Sequence, residues 1–329
     1  MKLIVYVLAL VFSLPLSLNT SANTPDAHDA IRSKLTHLGL TTPITAIEPS
    51  PALGFHQITL ADGNHLLISD GLDYVIQGTP SPNPSPITPI DHRIQKPLAM
   101  GTPISDAHRS ALLNNMSAMN DMQDAAFYHT GIQGVLWGIS GMGDTTFLIT
   151  GDGRYLMDGA MASLKNGQFI EHSPVFEAAK NRHVFSTLND THLTIYPAKT
   201  AQKSVLYIAS DINCPYCKVL HERIDELNIR GITVKIIGYP IYDESLKPMQ
   251  QIWCEQNNAK RAVLLSAAMK GLTLSARSAC QSSQSTLFTA QKQALPLAIM
   301  GTPAVFDAQG RLFMGDLTNH EIYEFLSLE

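Results

Sequence analysis

The chain reads as an α/β domain over its last third, carried behind small α+β units. Three observations predict this. The apolar run "SVLYIASDIN" from Ser204 passes directly into "PYCKVLHERIDEL", where Val219, Leu220, Ile224 and Leu227 recur on one helical face. The stretch "GFHQITLADGNHLLISDGLDYVIQG" alternates apolar and polar residues between Asp-Gly turns, the pattern of a small antiparallel sheet. Finally, "ISDGLDYVIQG" (68–78) returns 81 positions on as "ITGDGRYLMDG" (149–159), keeping Ile, Tyr and Gly, so the sheet unit is expected twice.

Length and composition agree with several domains: 329 residues, 45% of them apolar, with a net charge of −5. No basic tract with interleaved aromatics is present, which argues against a nucleic-acid surface. Residues 1–22 have the layout of a cleavable signal peptide: Lys2, an apolar stretch from Leu3 to Leu18, and the small residues Thr20-Ser21-Ala22. Sixteen apolar-rich residues broken by Pro15 fall short of the roughly 20 needed to span a bilayer. The mature chain is therefore expected outside the cytoplasm, where disulfides persist.

The first unit, 23–78, opens with a helix from Asp26 and continues through the alternating strands. So small a unit cannot bury much apolar surface alone, and pairing across a two-fold axis would complete it. Residues 79–97, with six prolines, read as an extended, semi-rigid linker. The second unit is expected over 98–172, where Asp106-Ala107-His108 repeats Asp26-Ala27-His28. A connecting helix over 173–190 then leads to the catalytic domain, 191–329. Within the second unit Met116, Met119 and Met122 recur every three residues. Thioethers bind copper(I), but Leu112 and Leu113 place these methionines on the apolar stripe of an ordinary helix, and no metal site is expected.

The four cysteines, Cys214, Cys217, Cys254 and Cys280, all lie in the last 116 residues. Zinc would want two close pairs, and only one pair is close. A Cys214 to Cys217 bridge encloses two residues and removes little entropy from the unfolded chain, so it makes a poor staple. Redox chemistry fits better. Pro215 suits the first helical turn, which puts Cys214 at a helix N-terminus, where unpaired N–H groups favour a thiolate. Cys214 is assigned as nucleophile and Cys217, one turn later, as resolving thiol. Asp211 and His221 stand close enough in sequence to tune proton transfer, or are simply a solvated strand-end acid and a helix-surface histidine.

Strand, CPYC and helix together resemble a thioredoxin fold, and more narrowly the periplasmic disulfide isomerases DsbC and DsbG. The likeness continues through "GITVKIIGYP" from Gly231, "MQQIWCEQNNAKRA" from Met249, and "MGTPAVFDAQGRLFMG" from Met300. In the first unit it extends to "EPSPALGF" and "YVIQG". The resemblance implies a thioredoxin-like domain with a helical insertion, behind two small cystatin-like modules of the DsbC N-terminal type. It implies a cis-proline at Thr302-Pro303 whose neighbouring backbone groups pair with an extended substrate beside Cys214, with Pro215 and Tyr216 also at the substrate. It further implies a structural disulfide between Cys254 and Cys280 within a mostly helical segment. Misfolded disulfide-containing periplasmic proteins would be the substrates, a membrane thiol reductase of the DsbD type the electron donor, and a homodimer the working form, with no cofactor. The alternatives are a DsbA-like dithiol oxidant, a non-catalytic chaperone, and an assembly factor for a secreted or conjugative apparatus. The usual isomerase chain has one N-terminal module, and here the sequence departs from it.

Overall fold

Two units of one plan open the protein in the computed structural model, which describes residues 25–95, 98–165, 167–272 and 285–328. In the first, helix α1 (Pro25–His37) precedes an antiparallel meander of β1 (Ile44–Pro49), β2 (Phe55–Leu60), β3 (His65–Ser69) and β4 (Tyr74–Gln77). Ile31 and Leu35 of α1 are buried on the sheet against Ile58, Ile68 and Val75. A two-residue strand, β5 (Ser81–Pro82), follows. The second unit repeats the order: α2 (Asp106–Asn114), then β6 (Ala126–His129), β7 (Val135–Ile139), β8 (Thr146–Thr150) and β9 (Tyr155–Met157). Ser105 caps α2 by accepting the His108 N–H. Even the turns match: Leu72 N–H bonds Ser69 C=O and Gly153 N–H bonds Thr150 C=O, both at 2.8 Å. This turn needs positive φ, which Gly153 adopts freely at 77° and Leu72 only at steric cost at 55°.

The sheets do not respect the unit boundaries expected at 78 and 98. Strands β10 (Met161–Lys165) and β11 (Gln168–Glu171) leave the second unit and extend the first sheet, whose order is β1-β2-β3-β4-β10-β11. In return β5, from the expected linker, joins the second sheet, ordered β5-β9-β8-β7-β6. The proline-rich stretch is extended, but it is a docked edge and not a free spacer. Asn83 and Ser85 are buried, and the Asn83 side-chain amide donates to the carbonyls of Asn115 (2.8 Å) and Gly153 (2.7 Å). Proline lacks an N–H to leave unpaired, so such a run lies well along a sheet edge. Between the sheets runs a shared core of Phe55, Leu67 and Ile76 with Val135, Leu148 and Met157.

The methionine stripe is corrected as well. Helix α2 ends at Asn114, and Met116, Met119 and Met122 lie in the turns beyond it. Asn115 stops the helix by turning its amide to the carbonyls of Thr88 and Asp152.

Helix α3 (Ser173–Thr187) connects the second unit to the last domain and packs on both. Phe176 enters the shared core, whereas Val184 and Phe185 sit with Leu193, Ala209, Ile237 and Phe306. Lys180 is fully buried at the junction: its Nζ donates to the Pro296 carbonyl, lies 3.4 Å from Glu177 and sits over the Trp137 ring. Burial pushes its ammonium below the usual lysine range.

The last domain contains β12 (Thr194–Tyr196), β13 (Ser204–Ser210), α4 (Pro215–Glu222), α5 (Ile224–Ile229), β14 (Ile232–Gly238), α6 (Asp243–Trp253), α7 (Asn258–Met269), α8 (Leu287–Ala294), β15 (Ala304–Asp307) and α9 (Glu321–Phe325). Its sheet runs β12-β14-β13-β15, with β13 and β14 parallel and both outer strands antiparallel. The α4–α5 pair makes the parallel crossover. The insertion between β14 and α8 is helical where described. No described helix is long and apolar enough to cross a membrane.

Candidate active site

Strand β13, buried in the middle of its sheet, carries the chain to a sharp exit at Asp211. Cys214 then takes the N-cap position of α4 with extended backbone, and Pro215 begins the helix, contributing no N–H where none is needed. The first helical bond runs from Lys218 N–H to the Cys214 carbonyl at 3.1 Å. One turn places Cys217 on the inner side. Both thiols are free and buried, with Cys214 3% and Cys217 1% exposed.

Across from the helix start, the Thr302–Pro303 peptide is cis, and the Cys214 Sγ donates to the Thr302 carbonyl at 3.1 Å. The sequence-predicted residues Cys214, Cys217, Pro215, Thr302 and Pro303 thus share one locus, with the Tyr216 ring 69% exposed beside it. Burial pushes the Cys217 thiol up to about 12; the Asp211 backbone and the Ser210 and Thr302 hydroxyls pull the other way, and the neighbouring Cys214 adds to the rise. The two sulfurs are therefore unlike: one lies at a helix start beside a carbonyl, the other is held as a thiol.

Asp211 is not a solvated acid: its backbone reaches the Cys217 sulfur, while its carboxylate is engaged elsewhere. Its fully buried carboxylate accepts the N–H groups of Asn213 (2.7 Å), Ile241 (2.6 Å) and Tyr242 (3.1 Å), and the Ser245 hydroxyl (2.5 Å). Its backbone carbonyl accepts the Cys214 N–H at 3.3 Å. It ties the β13 exit to the segment after β14 and so fixes where α4 begins. Ser245 lies 34 residues from Asp211, and no local signal in the sequence marks it. The same tie brings Ile241, Tyr242 and Leu246 beside the motif, all exposed, as are Val219 and Met300. Exposed apolar side chains thus stand on the segments that flank the thiol pair in sequence or are tied to it through Asp211.

Other candidates lie elsewhere. His221 turns to α7, with its Nε2 3.0 Å from the Ser266 hydroxyl and its ring edge-on to Tyr196. Burial, with Lys270 nearby, lowers its pKa to about 4. Cys254 follows α6 and is disulfide-bonded; Cys280, its expected partner, lies outside the described residues.

Residues 194–327 match a thioredoxin-like domain. The thiol:disulfide interchange protein DsbC of Escherichia coli K12 is 29% identical over 183 residues, which cover 54% of this chain and 71% of that protein. DsbC of Dickeya dadantii 3937 is 29% identical over 173 residues, 51% of this chain and 66% of the relative. A disulfide interchange protein from Neisseria gonorrhoeae aligns in structure at 21% identity with a TM-score of 0.35, over 43% of this chain and 100% of that one. The last domain is thus thioredoxin-like, and over about half its length the chain is similar in sequence to the DsbC thiol:disulfide interchange proteins.

Proposed function

We propose that the protein is a disulfide isomerase of the periplasm, with Cys214 as the attacking sulfur and Cys217 as a slow resolving thiol. The observation that carries this reading is the asymmetry of the pair. The Cys214 thiolate attacks one sulfur of a wrong disulfide; a Cys214–substrate bond forms, the substrate S–S bond breaks, and the leaving thiolate takes a proton. Cys217 closes the cycle only after losing its own proton, which burial opposes. The mixed disulfide therefore persists long enough for another substrate thiolate to attack it. That attack forms the correct bond and returns Cys214, with no net change in electrons.

When Cys217 does attack, the substrate leaves reduced by two electrons and a Cys214–Cys217 disulfide remains. An outside dithiol must then reduce it, the role proposed for a membrane reductase of the DsbD type. The backbone of Thr302 and the side chains of Tyr216 and Pro303 bind an extended stretch of client, and the exposed apolar side chains favour unfolded over folded chains. The two N-terminal units, read as DsbC-type cystatin-like modules, form a scaffold on which the catalytic domain is seated, with Leu295 and Ala298 packed against the shared core. A DsbA-like oxidant is disfavoured by the same asymmetry, because the raised pKa makes Cys217 a poor leaving group when a client thiolate attacks the Cys214–Cys217 disulfide.

Reactivation of a scrambled multi-disulfide substrate tests the proposal. Cys214→Ser should abolish it, and Cys217→Ser should retain activity while mixed disulfides accumulate. Full activity in Cys214→Ser, or rapid net oxidation of a dithiol substrate by the parent protein without isomerisation, would overturn the reading.

A further inference from the structure

The strand exchange between the N-terminal units is reciprocal residue by residue. Tyr74 and Val75 of β4 face Ser163 and Ala162 of β10. Moved 81 positions along, the same relation pairs Tyr155 and Leu156 of β9 with Pro82 and Ser81 of β5. The hydrogen bonds follow suit: Leu164 N–H bonds the Asp73 carbonyl at 2.7 Å, and Asn83 N–H bonds the Arg154 carbonyl at 2.8 Å. Each unit is closed by the strand that leaves the other, as a two-fold axis requires. The shared core obeys the relation too, with Leu67 and Ile76 answered 81 positions on by Leu148 and Met157.

A unit of one short helix and four short strands needs a second apolar face to cover its own. Here that face belongs to the same chain. The β4 edge, where a second copy would add its strand, is taken by β10, and Phe55, Leu67 and Ile76 are buried.

We propose that the duplicated units form a dimer within one chain, and that this replaces pairing between chains: the protein is a monomer in solution with a single thiol pair per particle. The edges left over are short or carry proline, which limits the pairing a second chain could make, even at β11 where Phe169 and Ile170 are exposed. On the second sheet β5 has two residues, with prolines at 80, 82 and 84, and β6 is bridged by Pro103. On the first, β1 ends in Pro49 and β11 has four residues. The inference is independent of the redox reading.

Light scattering on the full mature chain decides it. The expected result is one chain's mass, below the 35.9 kDa that includes the leader, unchanged between about 1 and 100 µM. A dimer's mass would overturn the proposal, whether the second copy docks on β11 or elsewhere. Gly159→Ala supplies the converse. A Cβ there would stand 1.8 Å from the Gln77 backbone oxygen, so the link between β9 and β10 must shift and free the β4 edge. Dimers or larger species should then appear while the buried Trp253 of the catalytic domain keeps its emission. A Gly159→Ala protein that stays monomeric with an unchanged Trp137 signal would show that the exchange does not hold the chain to one copy.

Discussion

A single-thiol variant, Cys214→Ser, isolates the behaviour on which the proposed chemistry depends. Among the described residues its one free cysteine is Cys217, since Cys254 is disulfide-bonded. Burial raises that thiol from 9.0 to about 12, and each unit removes a factor of ten in thiolate. Near neutral pH the folded protein therefore holds about a thousandfold less Cys217 thiolate than the unfolded chain. Desolvation is the largest cause and survives the substitution; the hydrogen bond from Cys214 is one of the smaller ones. The measurement is the rate of iodoacetamide alkylation from pH 7 to 10, folded against urea-unfolded. Folded protein should react at least about a hundredfold more slowly, rising about tenfold per pH unit without a plateau. Stability follows with a defined sign. The native state keeps a proton that the unfolded chain gives up near pH 9, so the contribution is fully present below pH 9 and is lost as pH rises toward 12, by up to about 1.4 kcal/mol per unit. A plateau below pH 9, or a folded rate within tenfold of the unfolded one, would refute the reasoning.

Three further outcomes are expected. Asp211→Asn leaves one oxygen for four donors; with charged-acceptor bonds contributing about 1.5–3 kcal/mol each, urea unfolding followed at Trp253 should show a loss of about 2–4 kcal/mol, and a loss under about 1 would remove Asp211 as the anchor of the motif. Stability from the neutral, buried His221 is present above pH 6.5 and lost as pH falls through about 4, so His221→Gln should flatten the acid slope of unfolding and leave thiol activity at pH 7 unchanged; a shifted activity profile would bring His221 back into the chemistry. Under mild reduction Cys254 should resist alkylation until the protein is denatured, and ready labelling in the native state would contradict a structural bridge.

What could be read from residues alone divides along physical lines. Alternation and Asp-Gly turns mark β2, β3 and β4 because side-chain period and turn chemistry are local, and the strand-to-helix step at Cys214 is visible for the same reason. Strand partners are not local. Nothing in Met161–Lys165 says that its neighbour is β4 and not β9, and Ser81–Pro82 looks like a spacer because proline hides an edge strand from any propensity argument. The methionine spacing mimics a helix that Asn115 has already ended through contacts with Thr88 and Asp152. Cys214 and Thr302 are 88 residues apart, and only the resemblance brought them together on paper. Asp211 reads as a surface acid because three of its four donors, on Ile241, Tyr242 and Ser245, lie 30 to 34 residues further along, beyond β14.

The exchanged strands also set an order of events as the chain is synthesised. The first unit's helix and four strands arrive early, but the strand that closes β4 arrives only with residues 161–165, about halfway along the 329. Until then the edge of β4 stands open, and Phe55, Leu67 and Ile76 have no opposing sheet. An emerging chain is thus most prone to stick to its neighbours while its first half waits for the second unit. The thiol pair, at 214 and 217, enters last, onto a scaffold already shut.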